Sequence, residues 1–351
     1  MLKRLAAQVL QNAFREKIMT TSREVRLKSR PVGLPTPANF EIVSVDVPAP
    51  ASGEVQVKNT WMTVDPYMRG RMYDGPSYAA AFQVGEAMGG GAIGEVVASG
   101  SDKFKVGDLV QSFNGWREGF TVPDNQVQKL DTMGLPPQLF LGAAGMPGLT
   151  AYAGLMRVAA FKPGDTVFVS GAAGAVGSMV AQIAKLKGGT VIGSAGGAEK
   201  IAYLHEIGVD HAIDYKAVPH LTKALSEAAP KGIDVYFDNV GGEHLEAAIA
   251  VAKEHARFAI CGGISAYNAL EAGSGPKNFL QVVGKRIRIE GFIVSDHGDM
   301  APEYISQLAP WLKEGKVKVR ETVDHGIENA VGAFLKLFSG QNMGKMLVKL
   351  G

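Results

Sequence analysis

Residues 166–187 read TVFVSGAAGAVGSMVAQIAKLK, and this stretch decides the fold. It opens with an apolar, β-branched run that suits a strand buried on both faces. It then turns through small residues and continues with Val176, Met179, Val180 and Ile183 at helical spacing. The reading is strand, tight turn, helix. At the turn, Gly171, Gly174 and Gly177 let the backbone come close to a ligand, and the start of the helix, Gly174, Ala175, Val176 and Gly177, aims N–H groups and a positive dipole end at an anion such as a pyrophosphate. The dinucleotide pattern G-x-G-x-x-G is met except at its first position, where Ala172 gives A-x-G-x-x-G.

The next strand, residues 190–194, extends the argument. In NAD-binding units its end carries an acidic residue about 20 positions past the glycines, which holds the ribose 2′-OH. Here the place reads Ser194, Ala195, Gly196, Gly197, with no carboxylate before Glu199. Small residues leave room for a 2′-phosphate and Lys200 supplies a cation for it, so the pattern favours NADP over NAD.

The 351 residues are too many for one typical core and suggest two domains. With 46% hydrophobic residues, 20% charged residues and 44 glycines, the composition is that of a globular, turn-rich α/β protein. No apolar run approaches the roughly 20 residues needed to cross a membrane. A net charge of +2 gives no electrostatic case for nucleic acid or an anionic membrane surface. One cysteine, Cys261, excludes an internal disulfide and a cysteine-rich zinc site and fits a reducing compartment. The seven histidines show no metal-ligand spacing, so no metal is expected.

Residues 1–18 set Leu2, Leu5, Val9 and Phe14 among basic side chains with Glu16 as the one acid. That pattern is compatible with a mitochondrial presequence. It lacks the serine enrichment of one, so a solvated helix, or an extension ahead of a true start at Met19, is the preferred reading. The expected compartment is accordingly the cytoplasm, with the mitochondrion as the alternative.

From Arg23 to Lys129 short β segments alternate with Gly, Pro and Asp turns, at residues 41–47, 54–61, 94–99, 109–113 and 119–123, as in a curled sheet or barrel. Within this region Asp65, Pro66, Tyr67, Met68, Arg69, Gly70, Arg71 and Met72 mix an aromatic hydroxyl, a thioether and two guanidiniums. The cluster reads either as a pocket wall or as a loop that packs Tyr67 and pairs an arginine with a local carboxylate. A helix is expected after Pro147 and Gly148. From Val158 strands and helices then alternate, with strands at 166–170, 190–194, 211–213, 233–237, 257–261 and 286–292, as in a doubly wound parallel sheet. Ligands bind at the carboxyl ends of such strands, so the run Asp238, Asn239, Val240, Gly241, Gly242 and the run Cys261, Gly262, Gly263 are placed to line the same crevice as the glycine turn, and Phe292 is counted with the cofactor contacts. Further on, a helix is read at 302–313, an extended run at 317–323, a helix at 327–338 and a strand at 346–350.

SGAAGAVGSMVAQIAKLKG, FDNVGG, CGGISAYN and NMGK together resemble the medium-chain dehydrogenase/reductases. More narrowly, VDPYMRGRM, GMPGLTAY, GGAEK and DYK resemble the zinc-independent branch that contains prostaglandin reductases, alkenal/one oxidoreductases and curcumin reductases. The resemblance covers residues 22–351. It implies an N-terminal extension at 1–21, a GroES-like β-rich domain at 22–145, a Rossmann domain at 146–300, and a segment at 301–351 returning to the first domain. It also implies NADPH-dependent reduction of the α,β double bond of enones and enals by a homodimer. Residue by residue, it implies that Gly174 to Gly177 hold the pyrophosphate, Lys200 and Tyr215 the 2′-phosphate, Asn239 the nicotinamide side and Asn342 a further cofactor contact. Tyr267 is implied near the nicotinamide ribose, which makes it the first choice of donor to the developing enolate oxygen. The cofactor's ribose hydroxyl shares that task, and Tyr67 closes the pocket. Quinone reduction and non-catalytic NADPH binding are the rival readings.

Overall fold

The computed structural model describes residues 19–271 and 273–351, so the reading of residues 1–18 as a helix or presequence lies outside the described residues. The described residues form two compact units, the first comprising 19–141, 323–337 and 346–351 and the second 142–322 and 338–345.

The first unit holds β1 (Thr21–Leu27), β2 (Phe40–Asp46), β3 (Glu54–Thr63), β4 (Ala92–Ser99), β5 (Leu109–Ser112), β6 (Gly119–Pro123) and β7 (Val127–Lys129). β1 and β2 pair antiparallel, with Thr21 opposite Asp46 and Leu27 opposite Phe40. The larger sheet is antiparallel through β3, β4, β5 and β7, with β6 also on β3. Alternation sends Val55, Val57, Val96, Val110, Phe120 and Val127 inward to one apolar core.

The second unit is a six-stranded sheet built from β8 (Thr166–Val169), β9 (Thr190–Ala195), β10 (His211–Asp214), β11 (Ile233–Asp238), β12 (Ala252–Ile260) and β13 (Arg288–Gly291). Its order is β10-β9-β8-β11-β12-β13, and every pairing is parallel. The order reverses at β8, which makes the mouth between β8 and β11 the switch point of a Rossmann sheet. Its helices are α1 (Met146–Ala153), α2 (Ala175–Leu186), α3 (Ala198–Glu206), α4 (Leu221–Ala228), α5 (Gly242–Val251), α6 (Gln281–Lys285) and α7 (Ala301–Lys313). Phe168, Ile192, Leu225, Ile233, Tyr236, Ala247, Ile249 and Phe258 form part of its buried core.

The last elements are β14 (Glu321–His325), α8 (Ala330–Ser339) and β15 (Lys345–Lys349). β15 pairs antiparallel with β3, placing Leu347 opposite Thr63, and β14 lies at that sheet's edge. The segment expected to return as a whole to the first unit therefore divides. Residues 323–337 and 346–351 join the first unit, while 301–322 and 338–345 belong to the second. Gln182 fixes the 317–320 stretch by accepting from the Lys318 N–H and donating to its carbonyl, at 2.7 and 3.0 Å, so the strand begins at Glu321 rather than Val317.

Other boundaries also depart from the sequence reading. α1 begins at Met146 with Pro147 in its first turn, where a missing N–H costs no intrahelical bond. β12 begins at Ala252, which pairs with Ile233 ahead of a register shift, a start that polar Lys253, Glu254 and His255 hide from an apolar pattern. β13 begins at Arg288 since Arg286 takes a left-handed conformation to end α6.

Candidate cofactor and substrate site

β8 runs into the glycine turn at Gly171, whose φ of +60° lies in the left-handed region. The Ala172 N–H donates to Ser194 O at 2.9 Å, which ties the turn to β9. Ala172 replaces the first glycine of the dinucleotide pattern at no steric cost because Gly193 faces it: a Cβ on Gly193 would come within 3.0 Å of the Ala172 methyl. Gly174 caps α2 in an extended conformation with no side chain bonded to the helix end. The N–H groups of Ala175, Val176 and Gly177 lie in the first turn, where the helix offers them no carbonyl. This is the geometry that accepts a diphosphate. Gly344 N–H donates to Ala173 O at 2.8 Å, so the segment carrying Asn342 runs beside the turn, and Asn342 itself makes a long 3.4 Å bond to Gly344 O.

A second corner forms where β9 and β10 end. A Cβ on Gly196 would stand 2.9 Å from Lys216 Cε and 3.1 Å from Tyr215 Cε1, so Tyr215 and Lys216 lie directly against the place where a ribose-binding acid would sit. Lys200, in the first turn of α3, lies close enough to Lys216 for its charge to be felt. Burial, and next the Lys216 ammonium, pull the Lys200 pKa below the ordinary lysine range, against the opposing charge of Glu199. Among the described residues neither ammonium has a carboxylate partner within ion-pair distance. Two cations gathered without an anion, beside a glycine that leaves space, fit a 2′-phosphate.

The ends of β11 and β12 make the third part. Asp238 is buried, and its Oδ1 accepts from Ser170 Oγ, Tyr236 OH, Val240 N–H and Gly241 N–H at 2.7 to 3.0 Å. One carboxylate oxygen thereby fixes the whole turn after β11. Asn239 N–H donates to Ser170 Oγ and its Nδ2 to Ser170 O, at 2.9 and 2.8 Å, which leaves the amide oxygen as its acceptor. Cys261 and Gly262 donate N–H to Asp238 O. The Cys261 thiol is pushed up to about 12 by burial and by the Asp238 charge, so it is neutral at physiological pH. Tyr267 folds back over this turn: its oxygen accepts the Gly263 N–H at 3.4 Å, and a Cβ on Gly262 would come within 2.9 Å of it. Phe292 packs edge-on against Phe237 and fills the space over Gly154, where a Cβ would meet its ring at 2.5 Å. Its ring therefore acts as a wall supporting this end of the sheet.

In the first unit the Asp65 to Met72 cluster is a short 3-10 helix. Arg69 is fully buried and donates through Nη2 to Gly33 O and to Tyr73 OH, both at 2.7 Å, with its guanidinium over the Tyr73 ring. That arginine is structural. Arg71 donates through Nε to Ala80 O, stacks on Phe82 at 4.2 Å, and lies near enough to Tyr67 for its charge to be felt there. Burial, and then Asp65, raise the Tyr67 pKa well above the ordinary tyrosine value, so its hydroxyl stays protonated.

Family models described as "N-terminal domain of oxidoreductase" and "Zinc-binding dehydrogenase" match residues 23–130 and 175–314. The chain is 42% identical to a 2-alkenal reductase (NADP(+)-dependent) of Nicotiana tabacum, over 93% of its length and 97% of the relative's. It is 40% identical to the NADPH-dependent curcumin reductase of Escherichia coli, over 92% and 95%. The crystal structure of CurA in complex with NADPH from Vibrio vulnificus superposes with a TM-score of 0.89 at 42% identity, covering 94% of this chain and 99% of that one. The chain belongs to the zinc-independent branch of the medium-chain dehydrogenase/reductases.

For a member of this branch, the word zinc in one family description refers to other relatives. Among the described residues of this reductase no three His, Cys, Asp or Glu side chains are grouped to hold a metal ion. One residue of its site escaped the sequence reading. Lys216 follows Tyr215 directly, and the signal that would have found it is a second cation after a strand whose own end lacks an acid. Asp238 stands in the run read as lining the crevice, but no pattern in the sequence marks it as a carboxylate that accepts four bonds and anchors the turn.

Proposed function

We propose that this chain is an NADPH-dependent reductase of the α,β carbon–carbon double bond of enones and enals. The observation that carries the reading is the Tyr267 hydroxyl, held over Gly262 and Gly263 at the mouth of the Rossmann sheet. The residues fit the cofactor. The uncapped first turn of α2 receives the diphosphate, and Lys200, Tyr215 and Lys216 surround the 2′-phosphate. The Asn239 amide oxygen would be the acceptor on the nicotinamide side, while Asn342 and the backbone of Cys261, Gly262 and Gly263 would line the remainder. When bound, NADPH supplies a hydride to the β-carbon of the conjugated carbonyl.

As the hydride arrives, negative charge gathers on the carbonyl oxygen, and Tyr267 donates its O–H there. A phenol carries its own O–H, so it donates to that oxygen without first acquiring a proton. A proton from solvent then completes the saturated carbonyl compound.

The assembly proposed is a homodimer. β13 is the outer strand of its sheet, mostly exposed, and beside it in sequence Leu270, Phe279, Leu280 and Val283 are 76%, 54%, 84% and 75% exposed. An open edge with apolar neighbours suits pairing with a second copy. The compartment proposed is the cytoplasm, supported by the single free cysteine. Among the described residues no helix is long and apolar enough to cross a membrane.

Purified protein with a panel of a simple enal, an enone, a quinone and an isolated alkene tests the activity. Turnover of NADPH with the enal and enone supports it, and turnover confined to the quinone overturns it. Sedimentation of Leu280→Glu beside the parent chain tests the dimer.

A further inference from the structure

His244 has no part in the chemistry above, yet it touches the corner that chooses the cofactor. It lies in the first turn of α5 at 5% exposure, and its Nε2 has no hydrogen-bond partner among the described residues. A buried imidazole nitrogen without a partner is a cost to folding, so the ring must contribute through its faces and edges. It lies nearly parallel to Phe168 of β8, with centroids 6.4 Å apart and planes at 9°. On another side it meets Tyr215 at 5.1 Å and 74°, an edge-to-face contact. Tyr215 is 41% exposed, and one ring edge borders the Gly196 corner. The tyrosine thus projects from a loop after the edge strand β10, and His244 joins it to the buried rings of the sheet.

We propose that His244 is a positioning residue for cofactor selectivity: it fixes the Tyr215 ring against the 2′-phosphate and so strengthens NADPH over NADH. The inference rests on reading Gly196, Lys200, Tyr215 and Lys216 as the 2′-phosphate corner. The imidazole acts as a neutral ring. Burial draws its pKa below the ordinary histidine value against the pull of Asp238 and Glu243. NADPH and NADH differ only at the 2′ position, so an aromatic prop acting there shifts one affinity and spares the other.

The test measures dissociation constants for NADPH and NADH by fluorescence titration, with melting temperatures, for His244→Leu, His244→Phe and Lys200→Ala. His244→Leu keeps volume and removes the flat ring, and is expected to weaken NADPH by about 2- to 10-fold, the scale of an aromatic pair, with NADH unchanged. His244→Phe restores the ring and the NADPH affinity. In a Tyr215→Ala background His244→Leu has no further effect on NADPH. Equal weakening of both cofactors, no change in either, or failure of phenylalanine to rescue overturns the proposal. Should His244→Leu not fold, His244→Asn is read by the same criteria. Lys200→Ala separates the two levels: if it leaves the NADPH preference intact, the phosphate corner itself is misplaced. If it abolishes the preference while His244→Leu does not alter it, only the role of His244 fails.

Discussion

A Cβ added to Gly177 would stand 2.4 Å from the carbonyl oxygen of Gly171 and 2.8 Å from Ala172 Cα. Both obstacles are backbone, so α2 rests directly on the turn that feeds it. This contact, more than the flexibility of the turn, holds the first N–H groups of the helix where a diphosphate can reach them.

Gly177→Ala is therefore expected to push α2 off the turn. The cost should be about 1 to 3 kcal/mol of stability, the range for overpacking a closed site, together with a loss of affinity for NADPH and NADH alike. Denaturant unfolding and cofactor titration check the two effects. A variant as stable as the parent with full affinity would show that the helix can slide without consequence.

Lys200→Ala and Lys216→Ala should each weaken NADPH by about 1 to 3 kcal/mol while NADH changes little, since each removes a charge-assisted bond to the 2′-phosphate. The preference for NADPH should also decline on the alkaline side. A lysine that loses its proton loses the bond, and burial with the neighbouring Lys216 charge brings that loss for Lys200 below the ordinary lysine range. Titrations across pH with both cofactors test this, and an equal loss for both in either variant would assign that lysine to stability.

Much of this site was legible in the sequence because its signals are local. The strand, turn and helix of residues 166–187 carry their own periodicity, and the missing acid before Glu199 is read by counting. What was not legible depends on elements that meet only after folding. Lys216 matters because Gly196, twenty residues earlier, leaves it space, and Asp238, already placed at the crevice by its strand end, anchors the turn because Ser170 and Tyr236 converge on it. The division of the C-terminal segment is of the same kind. Gln182 fixes Lys318 by a pair of bonds that no pattern within residues 317–323 announces. Tyr67 and Tyr267 stood out by motif, but the burial that keeps the Tyr67 hydroxyl protonated came only from the packing around it.

Cys261→Ser should fold and keep its activity, because the thiol is neutral and a half-buried lone cysteine acts as a small packed residue. The parent chain should also lose stability relative to this variant at high pH. The folded thiol titrates at about 12 and the ordinary value is 9.0, so the unfolded state sheds its proton first. The contribution is complete below the unfolded value and is lost as pH rises toward the folded one. Unfolding of both proteins from pH 8 to 11 measures the difference, and parallel curves would mean that the thiol is accessible.

Exhaustive treatment with a chelator should leave turnover intact, as the branch is zinc-independent and one cysteine cannot build a cysteine-rich site. Activity lost on chelation and restored by zinc would contradict the assignment.

Tyr267→Phe removes a single hydroxyl and leaves the ring to pack on the turn after β12. If that hydroxyl donates to the developing enolate oxygen, kcat should fall by roughly 10- to 1,000-fold, up to the scale of a lost oxyanion donor, while NADPH affinity is retained. The lower part of the range is expected, because the cofactor's ribose hydroxyl can take over part of the donation. The product distinguishes this chemistry from its nearest rival. Hydride delivery to the β-carbon gives a saturated carbonyl compound, whereas delivery to the carbonyl carbon gives an allylic alcohol and would make the protein an alcohol dehydrogenase. Turnover of a simple enone with deuterated NADPH, followed by chromatography and mass analysis, places the label. Deuterium at the β-carbon in both the parent and the slowed variant supports Tyr267 as a donor in double-bond reduction. Deuterium at the carbinol carbon refutes the reaction itself, and an unchanged kcat in Tyr267→Phe refutes the donor.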